Sequence, residues 1–382
     1  MGNQRVAVIG VGSVGSMTLW QLAKRGIQAV GFEQFGIAHD RSAVGGESRM
    51  FRTAYMEGAD YVPLLKKSRE LYKELESETG QDLLNLNGGL MIGPEDSYKM
   101  KNVVKSVIDF DIGHEILDSI QATHRYPQHK FFNNEIIVLD KEAGAIRPEL
   151  AVFSAAECAE ALGAIIHRHT AVDDIRELDD KVQVTANGKV YDFDQVVITA
   201  GPWTTKFYSQ LKNHLTPRKI VMTWYPTHQL ENYKPEKFPV FGRICEGISI
   251  FGVPTLEGSM VKIGSIDTFG DIEDPSLLHR DISLSELKGI NGAVAKYFTE
   301  LKPDPVRISV HMDGYTTDEH PVVGAVPNLN RTYIMGGYSG HGFKLAPVMG
   351  KIATDLLVDG KTDFSINHFN PSRFNQSQIL SK

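Results

Sequence analysis

The chain has 382 residues, 42% hydrophobic and 23% charged, the composition of a globular enzyme and not of a fibre or a disordered tail. Its length accommodates two domains. A formal net charge of −7 argues against the basic face that nucleic acid or an anionic membrane would select. No apolar stretch reaches the roughly 18 residues of a membrane span. The two cysteines, Cys158 and Cys245, have no metal-ligand spacing and imply no disulfide framework. With a first strand that starts almost at once, these features lead to the expectation of a cytoplasmic protein acting on small molecules.

The apolar run Val6, Ala7, Val8, Ile9 predicts a strand, and it meets Gly10, Gly12 and Gly15. A helical pattern follows (Met17, Leu19, Leu22, Ala23), then a second apolar run that ends in Glu33, 18 residues after Gly15. Each part suits an adenine dinucleotide. Gly10 allows the tight turn, Gly12 lets a pyrophosphate approach the backbone, and Gly15 lets helix and strand pack closely. The helix N-terminus favours phosphate charge, and Glu33 can accept hydrogen bonds from ribose hydroxyls.

A polar loop follows from His39 to Ser48, and then a helical run from about Val62 to Glu78. Gly88 to Gly93 reads as a strand, and residues 155 to 170 as an Ala-rich helix. Residues 171 to 201 read as short strands with turns at Asp179-Asp180 and Asn187-Gly188, ending in Thr199-Ala200-Gly201. A strand with that ending, about 180 residues after a first dinucleotide motif, recurs in flavoproteins. Its glycine end passes close to the flavin nucleotide, which favours FAD over NAD.

From about 216 to 319 the strands alternate (Lys219 to Tyr225, Ile248 to Gly252, Met260 to Ser265, Val306 to Met312), predicting a largely antiparallel substrate layer. The tail returns to the opening style, with a strand at 332–337, a glycine-rich turn and a helix from about Ala346 to Val358. The expected fold is α/β (α+β): a Rossmann-like FAD-binding domain of two-dinucleotide type, with a second, largely antiparallel-sheet domain. The cofactor domain is expected to be discontinuous, over 1–85, 146–215 and 320–382, and the substrate domain to span 86–145 and 216–319.

Four further segments carry a resemblance: Ser48-Arg49-Met50-Phe51-Arg52, Glu57-Gly58-Ala59-Asp60-Tyr61-Val62-Pro63, Asp318-Glu319-His320 and Gly340-His341-Gly342-Phe343-Lys344. With the glycine motifs, they make the chain resemble the monomeric sarcosine oxidase and N-methyltryptophan oxidase family, which includes the bacterial fructosyl-amino-acid oxidases. The resemblance runs nearly end to end. It implies that FAD takes a hydride equivalent from an N-substituted α-amino acid, that the imine hydrolyses, and that O₂ then becomes H₂O₂. Two alternatives stay open: an Amadori-compound oxidase, and a dehydrogenase with another electron acceptor. A monomer is expected.

The resemblance also assigns roles. Arg52 and Lys344 stand where the family clamps the substrate carboxylate, a planar fork beside a point charge. Without it, Arg52 reads as a structural ion pair and Arg49 as a partner of a loop carboxylate such as Glu47. With it, Arg49 lies near the flavin face. Lys262 would on pattern alone be the solvent-facing member of a strand. The family instead sets a lysine there over the flavin, where a cation stabilises the charge that O₂ acquires. Phe251 and Ile266 occupy places where sarcosine-oxidising members carry a tyrosine and a histidine, so a bulkier, less polar substrate is expected. His311 stands where the family has its flavin-linking cysteine, and FAD is therefore expected to be non-covalent. Further flavin contacts are expected from Ser13, Val14, Ser42, Val172, Ala200, Gly201, Trp203, Gly340, His341, Gly342 and Phe343.

Overall fold

A computed structural model describes residues 4–376. The opening pattern forms strand β1 (Arg5–Ile9), helix α1 (Ser13–Lys24) and strand β2 (Gln28–Phe32), with β1 and β2 parallel. They are the centre of a six-stranded sheet ordered Val322–Ala325, Thr332–Gly336, Gln195–Ile198, β1, β2, Ile165–His167. Every pairing in it is parallel except that of Val322–Ala325 with Thr332–Gly336. Parallel strands buried on both sides need apolar residues on both faces, and β1 supplies them. Val6 and Val8 pack toward α1 and the helices Pro148–Ala161 and Ala346–Asp359, while Ala7 and Ile9 pack toward Val184 and Phe193 of a three-stranded antiparallel sheet.

The Ala-rich helix differs from its predicted span. It runs Pro148–Ala161, and Ile165–His167 is the edge strand beside β2. Proline at the first helical position starts it, and Gly163, at φ +99°, turns the chain after it. An alanine helix, apolar on most sides, offers no strong periodicity from which to read its ends.

The second large sheet has eight strands, in the order Arg307–Thr316, Leu215–Pro226, Met260–Ser265, Ile250–Val253, Val240–Arg243, Gly89–Pro94, Glu135–Asp140, His114–Leu117. Only Val240–Arg243 beside Gly89–Pro94 is parallel. Four of these strands carry site residues: Ile250–Val253, which bears Phe251, and three others, β3 (Leu215–Pro226), β4 (Met260–Ser265) and β5 (Arg307–Thr316). Side chains alternate between faces. Val221, Tyr225, Val261, Ile263 and Val310 make one apolar core with Leu287, Ile290 and Val294 of helix Leu284–Tyr297. The opposite face carries Ile220, Met222, Trp224, Lys262, His311 and Asp313, and it forms the site. Among the described residues no helix is long and apolar enough to cross a membrane, and no cluster of His, Cys, Asp or Glu could hold a metal ion.

Candidate active site

Two cavities meet between the sheets. The first is a cleft along the β1–α1 turn, walled by Gly10, Gly12, Ser13, Val14, Glu33, Ser42, Val172, Ala200, Gly201 and Trp203. No side chain caps α1, whose N-cap is Gly12, and its first turn holds no acidic residue. Its end is therefore open to an anion. A Cβ on Gly12 would meet nothing within 4 Å, which leaves a backbone cradle. Gly15 is not on the wall: a Cβ there would stand 1.9 Å from the Gly10 carbonyl oxygen, so this glycine serves the packing of α1 on β1. Glu33 is 4% exposed, and its carboxylate accepts from the backbone N–H groups of Val11 and Phe35, both at 2.9 Å. His39 Nε2 lies 3.3 Å away.

Ser13, Ala43, Asp313 and Tyr338 line both this cleft and the second cavity, so one extended ligand could thread from one to the other. The second cavity holds Arg49, Arg52, Phe251, Ile266 and His311, and the whole run Gly340 to Lys344. Phe251, Ile266, Met50, Met222 and Ile220 make one side of it apolar. Its charge is concentrated around Arg52. One nitrogen, Nη2, donates to both carboxylate oxygens of Glu57 at 2.6 and 2.8 Å, while buried Nε and Nη1 have no protein partner. Lys344 Nζ donates to the His341 carbonyl at 3.0 Å. Burial, then the neighbouring Arg52, brings Lys344 down to about 7. Burial opposes the Glu57 charge, but Arg52, His341 and Lys344 together hold that carboxyl at about 2. The structural ion pair thus exists, with Glu57 as its partner, and it leaves two nitrogens of Arg52 without a hydrogen-bond acceptor. The His341 ring is not in water. Its Nδ1 meets the Tyr55 hydroxyl at 2.8 Å, its Nε2 meets the Glu319 carbonyl at 3.0 Å, and burial lowers it to about 4.

A third group converges on Gly46. A Cβ there would lie 3.3 Å from Arg49 Nη1, 3.4 Å from Lys262 Nζ and 3.5 Å from His311 Nε2. Lys262 is 2% exposed, not solvent-facing, and donates to the carbonyls of Gly46 and Ser48 at 2.7 and 2.6 Å. Burial, and Arg49 beside it, hold its pKa well below the ordinary lysine value. Arg49 has no bond to Glu47. Its guanidinium donates to the carbonyls of Ala43, Gly45 and Ser48. His311 is held between the Ser309 hydroxyl at 2.7 Å and the Asp40 carbonyl at 3.2 Å, and burial with Arg49 and Lys262 takes it to about 3. Glu149 steadies the loop, accepting from the N–H groups of Gly46 and Glu47 at 2.7 and 2.9 Å.

Sequence reasoning missed Glu57, Asp313 and Glu149. Glu57 lay within a quoted segment, and the five-residue step from Arg52 was the available signal. Asp313 shares its sheet face with His311 two residues earlier, and burial raises its pKa although the N–H groups of Gly314 and Gly340 bind it at 2.8 and 2.9 Å.

Residues 5–356 match the family model described as FAD dependent oxidoreductase. The chain belongs to that family. It is 32% identical over 374 residues to monomeric sarcosine oxidase of Streptomyces avermitilis, covering 96% of this chain and 97% of that protein. It is 28% identical to N-methyl-L-tryptophan oxidase of Escherichia coli K12, covering 96% and 98%. Among solved structures it resembles NikD, titled an unusual amino acid oxidase essential for nikkomycin biosynthesis, with TM-score 0.84 and 21% identity over 96% of this chain and 98% of that one. It also shares the fold of fructosyl amine:oxygen oxidoreductase from Aspergillus fumigatus, with TM-score 0.78 and 16% identity over 97% and 90%. As an FAD-dependent oxidoreductase, the chain is expected to hold its cofactor in the first cleft, and the residues there fit. The uncapped α1 and the open space at Gly12 suit a diphosphate, Glu33 suits ribose hydroxyls, and the shared wall at Asp313 and Tyr338 continues into the cavity that Arg49 lines, whereas Lys262 lines neither cavity.

Proposed function

We propose that this protein is an FAD-dependent oxidase of N-substituted α-amino acids, releasing H₂O₂. One observation carries the reading: a buried guanidinium with two nitrogens that have no hydrogen-bond partner, beside a buried lysine, in a cavity that joins the dinucleotide cleft. A substrate carboxylate would satisfy Arg52 Nε and Nη1, and leaving them unpaired costs about 1–3 kcal/mol each. Lys344 adds a point charge, and Phe251 and Ile266 offer no hydrogen bond, so the adjoining wall suits an apolar N-alkyl or side-chain group.

Bound FAD supplies the two-electron chemistry, accepting a hydride equivalent from the amine carbon. The chain's own residues orient and stabilise. Arg52 and Lys344 would fix the carboxylate, and so hold the amine in one orientation in the cavity. Lys262 and Arg49, buried away from water, supply positive charge where O₂ becomes anionic as it gains electrons; such preorganised charge is worth about 10²–10³ in rate. The lost amine hydrogens leave a C=N bond, water hydrolyses the imine, and O₂ leaves with two electrons and two protons. His311 keeps FAD in place by packing and not by a covalent bond, since both its nitrogens are engaged by Ser309 and Asp40.

The cofactor domain is proposed to comprise 1–85, 146–215 and 320–382, of which 1–3 and 377–382 lie outside the described residues, and the substrate domain 86–145 and 216–319. A fructosyl amino acid is the second reading, favoured by Ser265 and Lys99, polar groups on the cavity wall that a sugar could use. Anaerobic titration of the yellow protein with sarcosine, N-methyltryptophan, proline and fructosyl-valine, followed by flavin bleaching, tests both. N-Methyltryptophan is expected to bleach at lower concentration than sarcosine. Bleaching by fructosyl-valine alone selects the second reading, and no bleaching by any amine contradicts both.

A further inference from the structure

Asp313 stands where the two cavities join, and among the described residues it forms no ion pair. It lies on β5, and of the described acidic residues it alone lines both the dinucleotide cleft and the cavity of Arg52. The glycine-rich loop is laid against it. The Ser339 N–H donates to the Gly314 carbonyl at 2.9 Å, and the N–H groups of Gly340 and Gly314 donate to the Asp313 carboxylate at 2.9 and 2.8 Å. One bond to each oxygen leaves a lone pair on both. The cations whose charge reaches it, Arg49 and Lys344, donate their hydrogen bonds to backbone carbonyls instead. A carboxylate held out of water without a cationic partner is costly, and burial accordingly pushes its pKa up. Glu57, the second cavity's other acid, is already taken by Arg52. Tyr338, close enough to feel the Asp313 charge, also lines both cavities; it is 7% exposed, and its buried hydroxyl has no hydrogen-bond partner.

We infer that Asp313 and Tyr338 form a subsite for the positively charged nitrogen of the substrate. The inference rests on the reading of Arg52 and Lys344 as the carboxylate clamp, and it narrows the substrate class. With that clamp, one cavity carries the complement of a whole zwitterion. Cations face the carboxylate, and an acceptor pair at the junction with the cofactor cleft faces an ammonium that still bears N–H. The Asp313 carboxylate accepts a charge-assisted hydrogen bond from that nitrogen, and the Tyr338 oxygen can accept a second. The nitrogen is thereby held at the end of the cavity that opens toward the cleft, and the apolar residues Phe251 and Ile266 are left for the substrate's carbon groups. A free or N-alkylated amino acid meets these requirements. An N-acyl amino acid, whose nitrogen is uncharged, does not, and neither does a carboxylate without nitrogen. A site built to hydrogen-bond a group rejects analogues that lack it, because its own buried acceptors are then left unpaired.

Two ligands of nearly equal shape test this: 2-aminoisobutyrate, whose α-carbon has no hydrogen to lose, and pivalate, in which a methyl replaces the ammonium. Their dissociation constants are read from perturbation of the flavin spectrum of the holoenzyme at neutral pH. The native enzyme is expected to prefer 2-aminoisobutyrate by about tenfold or more, the scale of hydrogen bonds to a charged group. Asp313→Asn keeps an oxygen for the loop N–H groups but loses the charge. Its preference is expected to fall to within about twofold, with pivalate bound at least as tightly as by the native enzyme. Tyr338→Phe removes only the hydroxyl and should lower the preference about threefold. Equal binding of the two ligands by the native enzyme overturns the inference, and so does an unchanged preference in Asp313→Asn. Should Asp313→Asn fail to fold or to hold FAD, Tyr338→Phe decides, and an unchanged preference there overturns the inference. Bleaching of the native flavin by N-methyltryptophan separates the two failures. If the ligands bind equally and the amine still bleaches, the subsite falls and the oxidase reading stands; if neither ligand perturbs the spectrum and no amine bleaches it, the clamp of Arg52 and Lys344 falls with it.

Discussion

At the scale of single residues, function here depends on charges held out of water. Lys262 is stabilised as an ammonium by two carbonyls, yet burial and Arg49 press it toward neutrality. In the proposed mechanism its protonated form is the one that serves O₂. The rate of reoxidation should therefore fall as pH rises, with a midpoint well below the ordinary lysine value of 10.5. Lys262→Met should slow reoxidation about a hundredfold or more and flatten that profile, while anaerobic reduction persists. Lys344, proposed to bind the substrate carboxylate, should behave in the same sense. Its pKa of about 7 means that it is charged below neutral pH and increasingly neutral above. The dissociation constant of a simple carboxylate such as benzoate, read from perturbation of the flavin spectrum, should rise about tenfold between pH 7 and 9. Lys344→Met should bind weakly at both. A rise of equal size in Lys344→Met would place the titration elsewhere.

At the scale of elements, the β1–α1–β2 unit was legible because each glycine has one local reason, and local reasons are written in adjacent residues. Gly15 and Gly12 differ in kind. A side chain at Gly15 strikes the Gly10 backbone, whereas one at Gly12 has open space in the protein itself. Gly12→Ala should accordingly fold, with the apoprotein melting within about 2 °C of the parent, and lose FAD affinity by an order of magnitude or more, because the methyl occupies the diphosphate cradle. Equal loss of apoprotein stability would mean that Gly12 is structural. The strands that carry Lys262 and His311 were legible as strands but not as a site. Lys262 reads as a surface residue until its acceptors, the carbonyls of Gly46 and Ser48, arrive from more than 200 positions away. Separation in sequence, though shorter, also hid Asp313, which binds the Gly340 N–H 27 positions on, and Glu149, which holds Gly46 from 103 positions away at the start of a helix whose limits its alanines obscured.

At the scale of the whole molecule, the two sheets meet face to loop, and the groups that line both cavities (Ser13, Ala43, Asp313, Tyr338) come from both ends of the chain. FAD in this position would tie the sheets together, and it needs no covalent bond to do so. Acid precipitation of the holoprotein should leave a yellow supernatant and a colourless pellet; a yellow pellet would assign a bond, with His311 the first group to examine. Arg52 could be located from sequence, but its poise could not, because that depends on Glu57 taking one nitrogen and leaving two free. One buried site is proposed both to take electrons from an amino acid and to give them to O₂. Sequential mixing tests it most directly: the holoenzyme is first reduced anaerobically with N-methyltryptophan and then mixed with oxygenated buffer. Bleaching is expected, then full return of the flavin spectrum with one H₂O₂ per flavin; a flavin that bleaches but stays reduced in the presence of O₂ would rule out the oxidase reading.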